Sequence, residues 1–354
     1  MYPILAVVKQ LESEKGSSLE VCYVGNPSGI EATLATKAGL SFQGISTARL
    51  RGSAPWALPF RFAKLARGTT QSMRVIDRFA PQAILATGGY VCAPLIFAAW
   101  IRSVPSLMYL PDLAPGLAIR GLARFVTRIA VSFPQSKSFF GPGKAVLTGY
   151  PVRGVLFKVD KLASRQRLGL EEGERTLLIF GGSQGAHSIN VAVSEVLIEL
   201  LELCQVVHIS GKADEPWLRA QKDDLTQALA QRYNVHAYLH EEMIDALAAA
   251  DLVVARAGAA TTAEFPALGL PSILIPYPYA GQHQESNADY MVERGAAVKV
   301  DDAALRKGVL LGTVTELLED EQKLASLSDG ARRLAQPKAA QRIAQLLEEI
   351  ARPN

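Results

Sequence analysis

The chain has 354 residues, of which 49% are hydrophobic, 20% charged and 7% aromatic, and its formal net charge is +3. That length supports two domains, each burying its own core, and the composition excludes global disorder and a fibrous repeat. Three cysteines, Cys22, Cys92 and Cys204, stand far apart without a CxxC pair, which excludes a disulfide framework and a thiolate zinc site and fits a reducing compartment.

Residues 3–16, behind Tyr2-Pro3, carry a helical pattern where a doubly wound domain would open on a strand and a glycine-rich turn. The first domain is therefore expected to lack its first strand. A signal peptide is not expected, because no basic lead-in precedes the apolar residues and no small-residue cleavage site follows. Short apolar runs at 21–24, 83–86, 106–109, 129–132 and 145–148 read as strands, separated by helical patterns such as 30–38 and 70–79. The longest apolar run, 91–101, contains Pro94 and falls short of the roughly 18 residues of a spanning helix. A second strand series follows at 176–180, 205–209, 235–238, 252–255, 272–275 and 297–300. Strands alternating with helices predict an α/β fold, with two Rossmann-like doubly wound domains. The expected divisions are 1–149, 150–336 and a terminal helix in 337–354 that packs back on the first domain.

Charge is unevenly spread. Between Ala32 and Val159 there are 16 Lys and Arg against two acids, Asp77 and Asp112, whereas the rest of the chain carries 21 cations and 32 anions. A basic first half without a spanning segment points to an anionic partner. Its densest part interleaves Trp56, Phe60 and Phe62 with Arg61, Lys64 and Arg67. Two readings fit this stretch: aromatic rings entering a lipid interface beside anionic headgroups, or a core-packed helix with a solvated basic face. No helix-turn-helix, zinc-finger or RNP-like pattern accompanies the charge, so nucleic acid is not an expected partner.

Three constellations carry chemistry. After the strand at 176–180 comes Gly181-Gly182-Ser183-Gln184-Gly185-Ala186 and then a helix, a turn that lets backbone approach an anion at a helix N-terminus. A generic strand-turn-helix corner gives the same pattern. Arg256-Ala-Gly258-Ala259-Ala260-Thr261-Thr262-Ala263-Glu264 repeats the device after the strand at 252–255, with the threonines placed to donate and Glu264 placed to accept from a ribose diol or to stabilise its own helix. The polar loop between the strand at 272–275 and the next helix supplies Gln282, Gln284 and Asn287, neutral groups suited to sugar hydroxyls, although an ordinary surface loop has the same composition. His236, Tyr238 and His240 alternate as on one face of a strand, but no third ligand at a usual spacing makes them a metal site, and His187 and His208 fall in no pattern.

Taken in order, Thr87-Gly-Gly-Tyr90, Gly181 to Ala186, Arg256-Ala-Gly258 with Glu264, and His283-Gln284 with Asn287 resemble the MurG family, glycosyltransferases that add N-acetylglucosamine to lipid I in bacterial peptidoglycan synthesis. The resemblance runs from about Tyr2 to Ala297. It implies a GT-B fold with two domains facing a cleft, inversion at the anomeric carbon, no cofactor and no essential metal. It implies UDP-GlcNAc and undecaprenyl-linked lipid I as substrates, and a peripheral place on the cytoplasmic face of the cell membrane. By the same resemblance, Ser183, Gln184 and the amides of the Gly181, Gly182 and Gly185 turn would hold the diphosphate or sugar, with Arg153 assisting. Ala259 through Glu264 would line the nucleotide, with Glu264 on the ribose, the backbone at His240 on the uracil edge and Gln284 on the GlcNAc hydroxyls. Trp56 to Arg67 would dock the membrane.

Two departures from that pattern stand out. The family's opening Gly-Gly-Thr-Gly-Gly-His segment would lie just before Met1, and its His-Glu-Gln-Asn segment appears here as Tyr109-Leu110-Pro111-Asp112, leaving Asp112 as the carboxylate available to act as base. The altered segment keeps open a related transferase acting on another lipid acceptor. The missing loop keeps open a non-catalytic nucleotide-sugar-binding protein.

Overall fold

The computed structural model describes residues 2–48, 58–182, 184–279 and 283–351. Trp56, Ser183 and Gln282 lie outside the described residues. The chain divides into two compact units, Met1–Arg153 with Lys338–Asn354, and Gly154–Pro337.

In chain order the first unit holds α1 (Tyr2–Lys15), β1 (Cys22–Gly25), α2 (Ile30–Lys37), β2 (Ser41–Gly44), α3 (Leu58–Phe79), β3 (Ile84–Ala86), α4 (Ala93–Ile101), β4 (Ser106–Leu110), α5 (Leu117–Leu122), β5 (Arg128–Val131) and β6 (Ala145–Leu147). The second holds α6 (Lys161–Arg167), β7 (Thr176–Phe180), α7 (His187–Ser194), α8 (Leu197–Leu203), β8 (Gln205–Ile209), α9 (Glu215–Asp223), α10 (Gln227–Gln231), β9 (Tyr233–His236), α11 (Glu242–Ala249), β10 (Leu252–Ala255), α12 (Thr261–Leu268), β11 (Ser272–Leu274), α13 (His283–Val292), β12 (Ala297–Lys299), α14 (Val309–Glu319) and α15 (Glu321–Leu334). α16 (Ala339–Ala351) follows. Among the described residues no helix is long and apolar enough to cross a membrane.

The first unit's strands form two parallel sheets, β1-β2 and β3-β4-β5-β6. No described strand bridges β1 to β3, the position that an opening strand takes in a doubly wound sheet. β4 is buried at every residue because both faces are covered, whereas β2 is mostly exposed and its polar Ser41-Phe42-Gln43-Gly44 gave no apolar signal in the sequence. α16 returns to this unit: Ile343, Ala344 and Leu346 join Val7 and Leu11 of α1, Leu107 and Tyr109 of β4 and Ala130 of β5 in one buried cluster. Lys15 and Glu348 pair across it at 3.0 Å.

The second unit is one parallel sheet ordered β12-β11-β10-β7-β8-β9. Numbered from β7, that is the sixth, fifth, fourth, first, second and third strand, so the winding direction reverses between β7 and β10 and the crevice beyond their carboxyl ends is left open for a ligand. At the amino edge Arg165 is buried and ties the sheet, donating to Asp251 Oδ2 at 2.6 Å and to Ala249 O at 3.1 Å, while Asp251 Oδ2 accepts the Thr176 N–H at 2.7 Å. The strand expected at 235–238 instead spans Tyr233–His236, since β9 pairs with Val206–Ile209 of β8 and Tyr233 and Val235 are its buried residues. Tyr238 and His240 therefore sit beyond the strand, ring to ring at 4.7 Å, and do not alternate with His236 on a sheet face.

Ile343 is 1% exposed between α1 and β4. Truncating it to alanine removes a fully packed aliphatic side chain, which costs about 2–5 kcal/mol. Urea denaturation of Ile343→Ala should show that loss with an unchanged slope; a change below about 0.5 kcal/mol would mean that α16 is not fastened to the first unit.

Candidate functional site

Both glycine-rich turns lie at the winding reversal. Gly181 and Gly182 follow β7, and Arg256, Ala257 and Gly258 follow β10, its neighbour in the sheet. Gly182 (φ +92°) and Gly185 (φ +79°) occupy the left-handed region, and a β-carbon on Gly185 would lie 2.1 Å from Ser210 O, so this turn needs glycine for both its conformation and its packing. Gln184 is exposed, and Ala186 leads into α7, whose first-turn amides, as at any helix N-terminus, have no acceptor within the helix.

After β10, Ala259 and Ala260 form the turn into α12. The sequence suggested that Thr261 and Thr262 donate outward. Both are buried and spend their hydroxyl protons on the chain, Thr261 Oγ on Gly258 O at 2.6 Å and Thr262 Oγ on Ala259 O at 2.7 Å. The cause is the turn carbonyls three residues back, which stand within reach of each hydroxyl. Ala263 and Glu264 are half-buried, Glu264 one turn into α12 near its positive end. Gln284 opens α13 and its Oε1 accepts the Tyr277 N–H at 2.9 Å, so its amide group serves further partners as a donor. Asn287 is not a surface ligand group: fully buried, it donates to Ala257 O at 3.1 Å and fastens α13 to the β10 turn. His240 is exposed, and its N–H donates to Glu242 Oε2 at 3.2 Å.

The group that binds these loops together is Arg256. Its side chain is 9% exposed, and it donates to Ile275 O (3.2 Å), Pro276 O (3.3 Å), Asp302 and Ser188 Oγ (2.7 Å), with its guanidinium 5.3 Å from the Tyr277 ring centroid. Ser188 closes the triangle by donating to Asp302 at 2.7 Å. The start of α7 and the segments after β10, β11 and β12 are thus fixed to one cation. In the sequence Arg256 was visible only as part of a motif.

Behind the glycine turn lies a second network that the sequence did not reveal. Asn190, His208 and Tyr233 are each 0% exposed. Burial pushes the His208 pKa down to about 3, so the ring is neutral. It lies between Tyr233 Oη on Nδ1 and Asn190 Oδ1 on Nε2, both at 2.9 Å. Asn190 Nδ2 donates to Ser210 O at 2.8 Å and to Asp214 Oδ2 at 2.7 Å. Burial opposes ionisation of Asp214, but hydrogen bonds from Asn190, Trp217 and His187 outweigh it and hold the carboxyl below its usual range. His187, 74% exposed, meets that carboxylate through Nδ1 at 3.0 Å. The only local clue was an asparagine on the apolar face of α7 beside Ile189 and Val193.

In the first unit, Asp112 lies just past β4, half-buried. Arg153 ends the unit with its guanidinium 5.5 Å from the Tyr2 ring centroid and with Nε buried and without a hydrogen-bond partner among the described residues. On α3, Phe60 is 80% and Phe62 56% exposed, Lys64 and Arg67 are exposed and Arg61 is half-buried, so the first turns of this helix are not packed into the core.

The chain matches family models over most of its length: residues 1–131 fit the glycosyltransferase family 28 N-terminal domain and residues 176–345 its C-terminal domain. It belongs to the MurG group of this family. A relative from Roseiflexus sp. (strain RS-1), 42% identical with 93% of this chain and 83% of the relative covered, is named UDP-N-acetylglucosamine--N-acetylmuramyl-(pentapeptide) pyrophosphoryl-undecaprenol N-acetylglucosamine transferase. A relative of the same name from Desulforamulus reducens is 36% identical over 99% of this chain and 95% of its own. Among solved structures, MurG of Acinetobacter baumannii superposes with a TM-score of 0.74 at 26% identity, covering 98% of this chain and 95% of that one. UDP-GlcNAc 2-epimerase from Neisseria meningitidis, bound to UDP-GlcNAc, shares the fold with a TM-score of 0.68 at 13% identity, covering 99% and 98%. The fold class is GT-B, with two α/β units on parallel sheets.

Removing the cation leaves the partly exposed Asp302 carboxylate and two carbonyls without their donor, a loss of about 1.5–3 kcal/mol. Arg256→Ala should therefore lower the stability of the second unit by that amount in denaturant titration, and a loss under about 1 kcal/mol would show that these segments hold without the cation.

Proposed function

We propose that this chain transfers N-acetylglucosamine from UDP-GlcNAc to the C4 hydroxyl of the MurNAc residue of undecaprenyl-linked lipid I, with inversion, giving lipid II. The observation that carries the reading is the pairing of a glycine-rich turn and a second turn of small residues, each leading into a helix N-terminus, at the winding reversal of the second sheet, in a chain whose relatives bear that activity in their names.

The acceptor oxygen attacks the anomeric carbon, the bond from that carbon to the UDP oxygen breaks, and the hydroxyl proton passes to a base. We assign Asp112 as that base. Ser183, Gln184 and the amides of the Gly181–Gly185 turn receive the diphosphate together with Arg153, and negative charge growing on UDP is met by helix ends and a guanidinium, so the reading requires no metal. The α12 entry from Ala259 to Ala263 borders the nucleotide, Glu264 accepts from the ribose diol, the backbone at His240 meets the uracil edge, and the donor end of Gln284 meets GlcNAc hydroxyls.

Membrane docking rests on the exposed Phe60 and Phe62 beside Arg61, Lys64 and Arg67. Further exposed apolar residues occur on neighbouring elements, Trp100 at 58% on α4 and Leu117 at 65% on α5, with Arg124 5.0 Å from the centroid of Phe125, which packs on Trp100. Rings and cations of this kind suit the headgroup region of an anionic leaflet on the cytoplasmic face.

A second reading, transfer to a different lipid, is favoured by Leu110 and Pro111 in the acceptor segment. One assay separates the two: radiolabelled GlcNAc from UDP-GlcNAc should appear on a lipid I analogue and not on diacylglycerol, and the converse would reject lipid I. Glu264→Ala should weaken UDP-GlcNAc binding roughly 10- to 100-fold, the worth of hydrogen bonds to a charged acceptor; unaltered affinity in calorimetry removes Glu264 from the ribose site. Phe60→Glu with Phe62→Glu should cut binding to phosphatidylglycerol vesicles by at least about tenfold while leaving the melting temperature unchanged, because both rings are already exposed. Undiminished sedimentation with vesicles would exclude this face.

A further inference from the structure

We infer that Asn190 is a positioning residue for the glycine turn, holding the turn in the shape that takes the diphosphate of the nucleotide sugar; the inference deepens the function proposed above and rests on it. The turn at 181–185 does not hold its shape alone. It lies on the next turn of the sheet, Ser210-Gly211, so closely that a β-carbon on Gly185 would meet Ser210 O at 2.1 Å and one on Gly211 would meet Gln184 O at 2.7 Å. What fixes the two turns against each other is a side chain from α7, one turn past the glycines.

The hydrogen-bond directions of that side chain are fully determined. Asn190 Nδ2 faces two acceptors, Ser210 O and the Asp214 carboxylate, so it is the donor end of the amide. Asn190 Oδ1 must then accept from His208 Nε2–H, which makes Nδ1 the unprotonated nitrogen and leaves Tyr233 Oη to donate to it. Every partner is buried or part-buried, so neither end of the amide is interchangeable with water. One asparagine thereby joins α7 to β8, to β9 through His208 and Tyr233, and to the β8–α9 turn on which the glycines rest.

An acid at position 190 keeps the acceptor for His208 but loses both donors and sets a second carboxylate against Asp214. Adding Asp214→Asn restores one bond by reversing it: the new amide donates to position 190 and its oxygen still accepts from Trp217 and His187. Only Ser210 O then lacks its side-chain donor. Rescue by the exchanged pair is a result that loss of packing would not produce.

The test uses the full chain, UDP as probe, and the variants Asn190→Asp, Asp214→Asn and the double variant, all measured well below their melting temperatures. Expected are UDP dissociation constants raised at least about tenfold in Asn190→Asp, less in Asp214→Asn, and within about threefold of the parent in the double variant. Amide hydrogen exchange of the peptide spanning 178–190 should rise and recover in parallel. In transfer assays KM for UDP-GlcNAc should carry the change, with kcat altered less than about threefold. Equal UDP affinity in Asn190→Asp and parent overturns the assignment, as does a double variant no better than the single. Should Asn190→Asp not fold, Asp214→Asn and the double variant decide by the same comparison. If the parent chain itself does not bind UDP, the proposed function fails, and the exchange rates judge Asn190 alone: unchanged rates overturn it.

Discussion

A single buried guanidinium holds the carboxyl edge of the second sheet in place. Arg256 is almost excluded from water, yet its charge is met by Asp302, a serine hydroxyl, two backbone carbonyls and an aromatic face. Such a cation is tolerable only when it is paired and hydrogen-bonded, which makes the arrangement rigid: a shift in any of the segments that carry its partners would strand charge in a low-dielectric interior. Arg165 plays the corresponding part at the amino edge, with Asp251 and Ala249 O. Between these two clamps the apolar strands supply cohesion, and the arginines decide where the loops stand.

That rigidity suits the function proposed for this edge, which asks for electrostatic stabilisation. A parallel doubly wound sheet delivers helix N-termini to one side of the winding reversal, and α7 and α12 arrive there through glycine-rich turns. Amide dipoles help a departing diphosphate only if they are already aimed at it, since reorienting them during reaction would consume the energy they provide. The Asn190 network behind one turn and the Arg256 network across all of them answer the same requirement with neutral and charged groups. The threonines of α12 show how local this balance is: their hydroxyl protons close the turn, so any anion there is met by backbone amides.

The first unit follows different physics. Its sheet is in two pieces among the described residues, its core is completed by the returning α16, and one of its helices begins with aromatic rings in the open beside cations. Exposed phenyl rings run against the hydrophobic effect, and the docking proposed above would give these rings and the adjacent positive charge a counterpart in an anionic lipid surface. The two units thus differ in charge balance, which the sequence already displays.

The sequence alone determined where most strands lie, that there are two parallel-sheet units, and which turns are rich in glycine. These follow from continuous apolar runs and small residues, which are local signals. It missed β2, whose residues are exposed and polar, and misplaced β9 by two residues, because register depends on β8 and on the Tyr233 hydroxyl reaching His208. Only the tertiary structure decided that Arg256, Asn190 and Asn287 are buried braces, that Thr261 and Thr262 donate inward, and that His208 is neutral. Apart from the threonines, whose acceptors lie three residues back, each of those roles is set by partners 18 to 68 residues away in the chain, and no local pattern of residue types records which distant carbonyl or carboxylate folding will bring within hydrogen-bond reach.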